Sequence, residues 1–239
     1  MLSKIKFLTA GESHGKALIG IIQGIPAGLE ISADYINAEL SRRQQGYGRS
    51  NRMKIENDKA IILSGIRHGK TIGSPISIMI ENKDYENWKT KMSIDLPTND
   101  VKKITLPRPG HADLAGIQKY DFDDIRNVLE RSSARETAIR VALGTICRKL
   151  LKVFNIQIGS RVIQIGKVKD PTSITRGMNP DSLNKQADAS VVRCINKKVE
   201  QDMIDVIDKA KQNGDSVGGI FEVIATGLPY GLGNHTQWS

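Results

Sequence analysis

Apolar residues fall into short alternating stretches and into longer runs at helical spacing, and these two periods divide the chain into elements. Residues 4–8 and 17–23 read as short strands on either side of a Gly-Glu-Ser-His-Gly turn. Ser32 is placed to cap a helix running to about Arg43, with Ile36 and Leu40 four apart on its inner face. Gly46 and Gly48 end that helix in a loop. Residues 60–66 and 75–80 have the composition of buried strands, joined as a hairpin by Arg67-His68-Gly69-Lys70. Residues 82–105 are polar, Lys-rich and aperiodic. They read as a mobile loop, and a loop that long in a compact domain is often functional.

Leu106-Pro107-Arg108-Pro109-Gly110-His111 is stiff, because the residue before each proline must be extended. A helical region follows to about Phe154. Within it, Ser133-Ala134-Arg135-Glu136 has the spacing of a capping box and starts a helix. Ile139, Leu143, Ile146, Leu150 and Leu151 form its apolar stripe. Residues 156–168 alternate as a strand does, and a helix near 199–213 ends at Gly214. A last strand spans about Gly219 to Thr226. Strands and helices are mixed, which indicates an α/β or α+β class, and no linker divides residues 1–239 into more than one domain.

Two segments of this pattern repeat at a spacing of 203 residues. Gly11-Glu12-Ser13-His14-Gly15 leads to Gly24-Ile25-Pro26-Ala27-Gly28-Leu29, and Gly214-Asp215-Ser216-Val217-Gly218 leads to Gly227-Leu228-Pro229-Tyr230-Gly231-Leu232. Eight of 19 aligned positions are identical without a gap. Glycine and proline at fixed offsets demand the same turns. More than 180 residues follow the first copy and seven follow the second. From this we expect the fold to be incomplete at its C-terminus. Only the first copy has a histidine where the second has Val217.

Composition narrows the function. No apolar run approaches the length of a membrane span, and the first ten residues are too short on apolar sequence for a signal peptide. Cys147 and Cys194 are too few for a disulfide framework, and Cys147 reads as a small buried hydrophobe. These features point to the cytoplasm. The net charge of +9 suits a polyanionic partner. Aromatic residues make up only 5%, however, and none interleave with basic runs, so stacking platforms for single-stranded nucleic acid are not supported, and a nucleic-acid binder would need a contiguous basic face that no motif requires. Arginines cluster instead near glycines and serines, a pattern suited to phosphate and carboxylate groups on a compact ligand.

Two histidines are candidates for proton transfer. His14 sits in a tight glycine turn, and His111 follows a proline-stiffened segment that fixes where its imidazole points. His68, in a turn, and His235 are read as structural. No histidine pair has metal-ligand spacing and no cysteine joins them, so no metal site is expected. Arg42, Arg43, Arg49 and Arg52 surround Gly46-Tyr47-Gly48 and form a candidate anion site. Arg131-Ser132-Ser133 precede a helix start, where free N–H groups, hydroxyls and a guanidinium can hold a phosphate. Neither a P-loop nor a dinucleotide fingerprint is present, and Gly11-Glu12-Ser13-His14-Gly15 matches a nucleophile elbow only in its bare spacing.

Taken in order, these motifs resemble those of chorismate synthases. They are Gly-Glu-Ser-His-Gly at 11–15, Arg42-Arg43-Gln44 with Gly46-Tyr47-Gly48-Arg49, Arg108-Pro109-Gly110-His111-Ala112-Asp113, Arg131 to Thr137, and Gly214-Asp215-Ser216-Val217-Gly218-Gly219. Gln45 stands where such enzymes often have glycine or proline. The resemblance implies an α+β fold, a β-α-β layered sandwich about an internal pseudo-two-fold repeat. It also implies a C-terminal third beyond this sequence, with further flavin-binding residues and a catalytic aspartate. The implied reaction removes phosphate and a proton from 5-enolpyruvylshikimate 3-phosphate to give chorismate, with reduced FMN. On that reading His14 is the acid toward the leaving phosphate and His111 protonates the reduced flavin. Arg43 and Arg49 bind the anionic substrate or NADPH, and Arg131, Ser132 and Ser133 bind FMN. The implied assembly is a cytoplasmic homotetramer, with no nucleic-acid or membrane partner. A non-catalytic remnant that keeps the flavin and anion sites is the alternative.

Overall fold

A computed structural model describes residues 4–49, 55–96, 100–175 and 177–233. These fall into two compact units, 4–41 with 55–146 and 42–49 with 147–233.

The first unit is built on a four-stranded antiparallel sheet of order β1-β2-β6-β3. Its strands are β1 (Lys6–Ala10), β2 (Ala17–Gln23), β3 (Ala60–Ser64) and β6 (Ile76–Glu81). Alternation along β2 and β6 fixes the register, since a slip by one residue would turn the apolar set to solvent. Leu18 faces Ile80 and Ile22 faces Ile76, and all four are at most 1% exposed. The pair between them is Gly20 and Ile78. A Cβ on Gly20 would lie 2.7 Å from Ile139 and 2.9 Å from Leu143, so a glycine in mid-strand is what lets the helix sit this close. That helix is α4 (Thr137–Val153), and Ile139 and Ile146 of its expected stripe are fully buried. Leu150 and Leu151 are only half-buried.

Helix α1 (Ala33–Gln44) begins where expected, with Ser32 Oγ accepting from Tyr35 N at 3.2 Å. Ile36 and Leu40 are fully buried. Two expectations need correction. The Arg67–Lys70 turn does not join β3 to β6 directly. It closes a small hairpin of β4 (Ile66–Arg67) and β5 (Lys70–Thr71), with His68 at φ 49° and Gly69 at φ 74°. The stretch after residue 82 is also not featureless, because it opens with a 3-10 turn at Lys83–Asn87. The helical region before α4 is broken into α2 (Asp113–Tyr120) and α3 (Arg126–Arg131).

The second unit has a three-stranded sheet of order β8-β7-β9, formed by β7 (Gln157–Ile165), β8 (Val168–Lys169) and β9 (Gly219–Thr226). Helix α5 (Pro180–Asp188), which no apolar period announced, packs on β7. Its Asn184 side chain donates to Ile158 O at 2.9 Å and accepts from Ser160 N at 3.1 Å, satisfying strand backbone. Helix α6 (Lys197–Gln212) packs against β7 and β8, with Met203 fully buried beside Cys194 and Val192.

The repeat is structural. Each copy supplies the second strand of an antiparallel pair, β2 with β1 and β9 with β7. Gln23 pairs with Lys6 and its equivalent Thr226 pairs with Gln157, the first residue of each partner strand. Gly11, Gly24 and Gly28 have φ of 102°, 89° and 88°, and their equivalents Gly214, Gly227 and Gly231 have 65°, 77° and 79°.

Candidate functional site

The Gly11–Gly15 loop turns between β1 and β2 at a glycine that cannot be replaced freely. Gly11 has φ 102°, and a Cβ there would lie 2.3 Å from Ala17 O. Asn82, 4% exposed, ties the loop from below by donating to Glu12 O at 3.1 Å and Gly15 O at 2.8 Å. Asn82 is itself held by Arg135 Nε at 2.9 Å. Arg135 is buried against Asp58 at 2.5 Å and Glu56 at 3.5 Å, so its charge is compensated where solvent cannot reach. The capping motif read from sequence thus does two things. Ser133 caps the 3-10 turn Ala134–Glu136 that leads into α4, accepting from Arg135 N at 3.3 Å. Arg135 anchors the histidine loop. Glu136 does not reach back to the cap; it accepts from Thr9 and pairs with Arg140 instead.

His14 is the most constrained side chain of the loop. Its backbone N–H donates to Glu130 Oε2 at 2.8 Å. Its Nδ1 lies 2.9 and 3.0 Å from the two carboxylate oxygens of Glu130, whose side chain is 1% exposed. The carbonyl of Glu130 accepts from Ser13 N at 2.9 Å. The Trp88 indole stacks on the imidazole with ring centroids 3.9 Å apart and planes 24° apart. Asp84 Oδ2 lies 3.9 Å from His14 Nε2 and accepts from the Trp88 indole N–H at 3.1 Å. Arg126 lies over the same indole at 5.2 Å and reaches Glu130 at 3.4 Å. Burial pushes the Glu130 carboxyl upward, but the hydrogen bonds from His14 and the charges of His14 and Arg126 outweigh it and hold the group below its ordinary value.

Glu130 also lies in the last turn of α3, beside the second group of candidates. Arg131 donates to Thr9 O at 3.0 Å and lies 3.4 Å from Gly11 O, so its guanidinium lies along the histidine loop with a half-exposed side chain. Ser132 follows as the last residue of the helix end, its hydroxyl 3.5 Å from Leu129 O, and Ser133 is the cap described above. The fold therefore brings His14, Arg131, Ser132 and Ser133 together. A cleft of about 470 Å³, which Asn82 also lines, carries Lys16, Lys83 and Lys89, three cations not singled out in the sequence, together with Glu81 and Glu86.

His111 is exposed, and its Nδ1 lies 3.0 Å from Pro109 O. A carbonyl only accepts, so a hydrogen bond at this distance requires the Nδ1–H tautomer. The stiff segment is locked by Arg108, which forks onto fully buried Asp113 with two bonds of 2.9 Å. That fork holds the Asp113 carboxyl down at about 2.

Arg43 and Arg49 belong to the second unit. Arg49 Nε donates to Gln45 O at 2.9 Å, bracing a loop whose Gly46 and Gly48 have φ of 119° and 74°. Tyr47 closes it by donating to Asp208. Arg49 lines a cleft of about 460 Å³ with Lys211, Asp215 and Val217, so the second copy of the repeat contributes to this basic cleft as the first contributes to the histidine loop. Arg42, beside Arg43, lies 3.8 Å from Asp188. Arg52 and His235 lie outside the described residues. Among the described residues no group of His, Cys, Asp or Glu could hold a metal ion, and no helix is long and apolar enough to cross a membrane.

Glu130, Trp88, Asp84, Arg126 and Asn82 were missed by sequence reasoning. Glu130 lies 116 positions from His14, and nothing in local spacing links the two. Trp88 had one available signal, a lone tryptophan in a long polar stretch.

A family model described as chorismate synthase matches residues 5–239. Chorismate synthases of Alkaliphilus metalliredigens, Caldicellulosiruptor bescii and Enterococcus faecalis are 54%, 54% and 48% identical over 233, 235 and 237 residues. Each alignment covers 98% of this chain and 60–61% of the relative, so the chain spans about 60% of the length of these relatives. A crystal structure of a chorismate synthase matches over the whole chain at 42% identity and a TM-score of 0.80, covering 63% of that structure. The α+β fold expected from the sequence is the fold of that structure.

Proposed function

The chain belongs to the chorismate synthase family, and from that premise we propose that it carries the proton-transfer and anion-binding residues of an enzyme converting 5-enolpyruvylshikimate 3-phosphate to chorismate. The observation that carries the proposal is His14, held by Glu130 and Trp88 in a glycine loop that Arg131 also lines. The reaction expels a phosphate, a multiply charged leaving group. A proton delivered from His14 as the C–O bond breaks lowers the cost of that departure. His111 shares its Nδ1 proton with Pro109 O, and its Nε2 is the atom that takes up and returns a second proton. Arg43 and Arg49 hold the carboxylates and phosphate of the substrate by charge-assisted hydrogen bonds.

The donor set fits FMN. Arg131 is a half-exposed cation and Ser132 and Ser133 bring two hydroxyls, the chemistry a flavin phosphate needs. When bound, the reduced flavin supplies electron density to a reaction with no net redox change. The working form under this proposal is a cytoplasmic homotetramer of a phosphate lyase, in which residues 1–239 form one pseudo-symmetric domain.

The test is a segment exchange. Residues 5–239 replace the matching segment of the Alkaliphilus metalliredigens relative, and chorismate formation is followed anaerobically with reduced FMN. Turnover within about tenfold of the parent enzyme supports the proposal. Binding of FMN and substrate with no turnover supports the non-catalytic remnant instead.

A further inference from the structure

Glu130 makes more bonds to the histidine loop than a structural cap requires. Its carbonyl already accepts from Ser13 N at 2.9 Å, and its carboxylate takes both His14 N at 2.8 Å and His14 Nδ1 at 2.9 Å. A carboxylate that is 1% exposed is costly to desolvate unless each oxygen finds a donor. Here the donors are His14 and Arg126 of the next helical turn toward the N-terminus. With the carboxyl held ionised by those neighbours, it can only accept, so the proton between it and the imidazole sits on His14 Nδ1.

We propose that Glu130 is the positioning residue of His14. It fixes the Nδ1–H tautomer, stabilises the imidazolium, and leaves Nε2 as the atom that exchanges protons. Trp88 fixes the plane of the ring by stacking at 3.9 Å. The charged groups around the imidazole include Glu130 and Arg126 from α3 and Asp84 from the 3-10 turn, with Lys91 over the indole ring at 4.9 Å. The inference rests on the proposed role of His14 as proton donor. In that step the Nε2–H bond breaks and the proton passes to a phosphate oxygen as the C–O bond of the substrate breaks. The imidazole is left neutral with Nδ1 still protonated, and Glu130 stays a carboxylate throughout.

The tautomer is read directly in this chain. Protein labelled with ¹⁵N-histidine is placed at a pH where the imidazole is neutral, and two-bond ¹H–¹⁵N correlations are recorded. The His14 signals are assigned by their loss in His14→Asn. The proposal expects a protonated Nδ1 and an unprotonated Nε2, the reverse of an unconstrained histidine in water. A predominantly Nε2–H tautomer in the wild-type chain would overturn it; should His14→Asn not fold, the same signals are assigned by their through-space contacts to the stacked Trp88 indole. In Glu130→Gln the side-chain amide can donate as well as accept, so the single tautomer should be lost. In the segment-exchange enzyme, Glu130→Gln should lower kcat by on the order of 100-fold with KM changed less than about threefold, as expected when an acid is misplaced but binding is intact. Full kcat in Glu130→Gln, with His14→Ala inactive, overturns the positioning role and leaves the proton-donor reading standing. Full turnover in His14→Ala overturns the donor reading, whatever the tautomer.

Discussion

The repeat makes a sharp prediction about four glycines. Gly24 and Gly227 occupy equivalent positions, with φ of 89° and 77°. An alanine Cβ at Gly24 would lie 1.9 Å from Lys4 O, and one at Gly227 would lie 2.3 Å from Asn155 O. Both carbonyls belong to the residue two positions before the partner strand, β1 in one unit and β7 in the other. Positive φ costs a non-glycine residue about 1–2 kcal/mol. Relieving contact with a backbone atom, which cannot swing aside as a side-chain tip can, adds about 1–3 kcal/mol. Less the gain of about 0.4–1 kcal/mol from a less flexible unfolded chain that applies at every glycine, Gly24→Ala and Gly227→Ala should therefore each destabilise their unit by about 1–5 kcal/mol. Gly28 and Gly231 are the internal controls. Their φ values are 88° and 79°, but nothing lies within 4 Å of an added Cβ. Alanine there costs the strain alone, about 1–2 kcal/mol, less about 0.4–1 kcal/mol from a less flexible unfolded chain. Urea titration of the four variants, with amide exchange in β2 and β9 to localise each loss, measures the difference. Equal costs at Gly24 and Gly28, or an effect at Gly24 without one at Gly227, would refute the reasoning from the repeat.

Other predictions concern packing, pH and binding. Gly20→Ala should cost about 1–3 kcal/mol by crowding Ile139 and Leu143, and part of that cost should vanish in a Leu143→Ala background while the clash with Ile139 remains, as a double-mutant cycle of melts would show. The Asp113 carboxyl titrates near 2 in the fold against 3.8 unperturbed, so the stability it contributes is complete above about pH 4 and lost as pH falls toward 2. Protection of the Arg108 amide against exchange, taken relative to the intrinsic rate at each pH, should fall over that window, because this amide donates to Asp113 at 3.0 Å, and Asp113→Asn should remove the pH dependence of that protection. Arg49→Ala in the segment-exchange enzyme should weaken binding of the phosphorylated substrate by about 30–150-fold, the worth of one charge-assisted contact. Calorimetric titration showing a change under threefold would exclude Arg49 from the anion site.

Much of the fold was legible because period and burial agree. Residues 17–23 alternate and form β2 with Leu18 and Ile22 buried, and Ser32 caps α1 where its side chain could reach a free N–H. Gly214, at φ 65°, follows α6 as its position implied. Helix α5 was missed because beyond Pro180 its buried apolar residues are only Leu183 and Ala187, set among Asp181-Ser182 and Asn184-Lys185-Gln186. Its burial comes from packing on β7, which local pattern does not encode. The small β4–β5 hairpin was hidden because two-residue strands carry no period. At the candidate site, the glycine loop of His14 and the Arg131-Ser132-Ser133 run were singled out from sequence and lie together, whereas Lys16, Lys83, Lys89 and Arg126 carry no local motif. The groups that orient His14 could not, because a buried glutamate, a stacked tryptophan and a bridging asparagine act by position rather than by motif.

The central claim is that His14 delivers the proton that lets phosphate leave. The direct measurement is single-turnover chorismate formation by the segment-exchange enzyme and its His14→Ala variant, under anaerobic conditions with reduced FMN, alongside the substrate dissociation constant of each. In His14→Ala the rate of the chemical step should fall about 10²–10⁴-fold with substrate affinity held within about threefold. An unchanged chemical step in His14→Ala, with the variant folded and binding substrate, would contradict it.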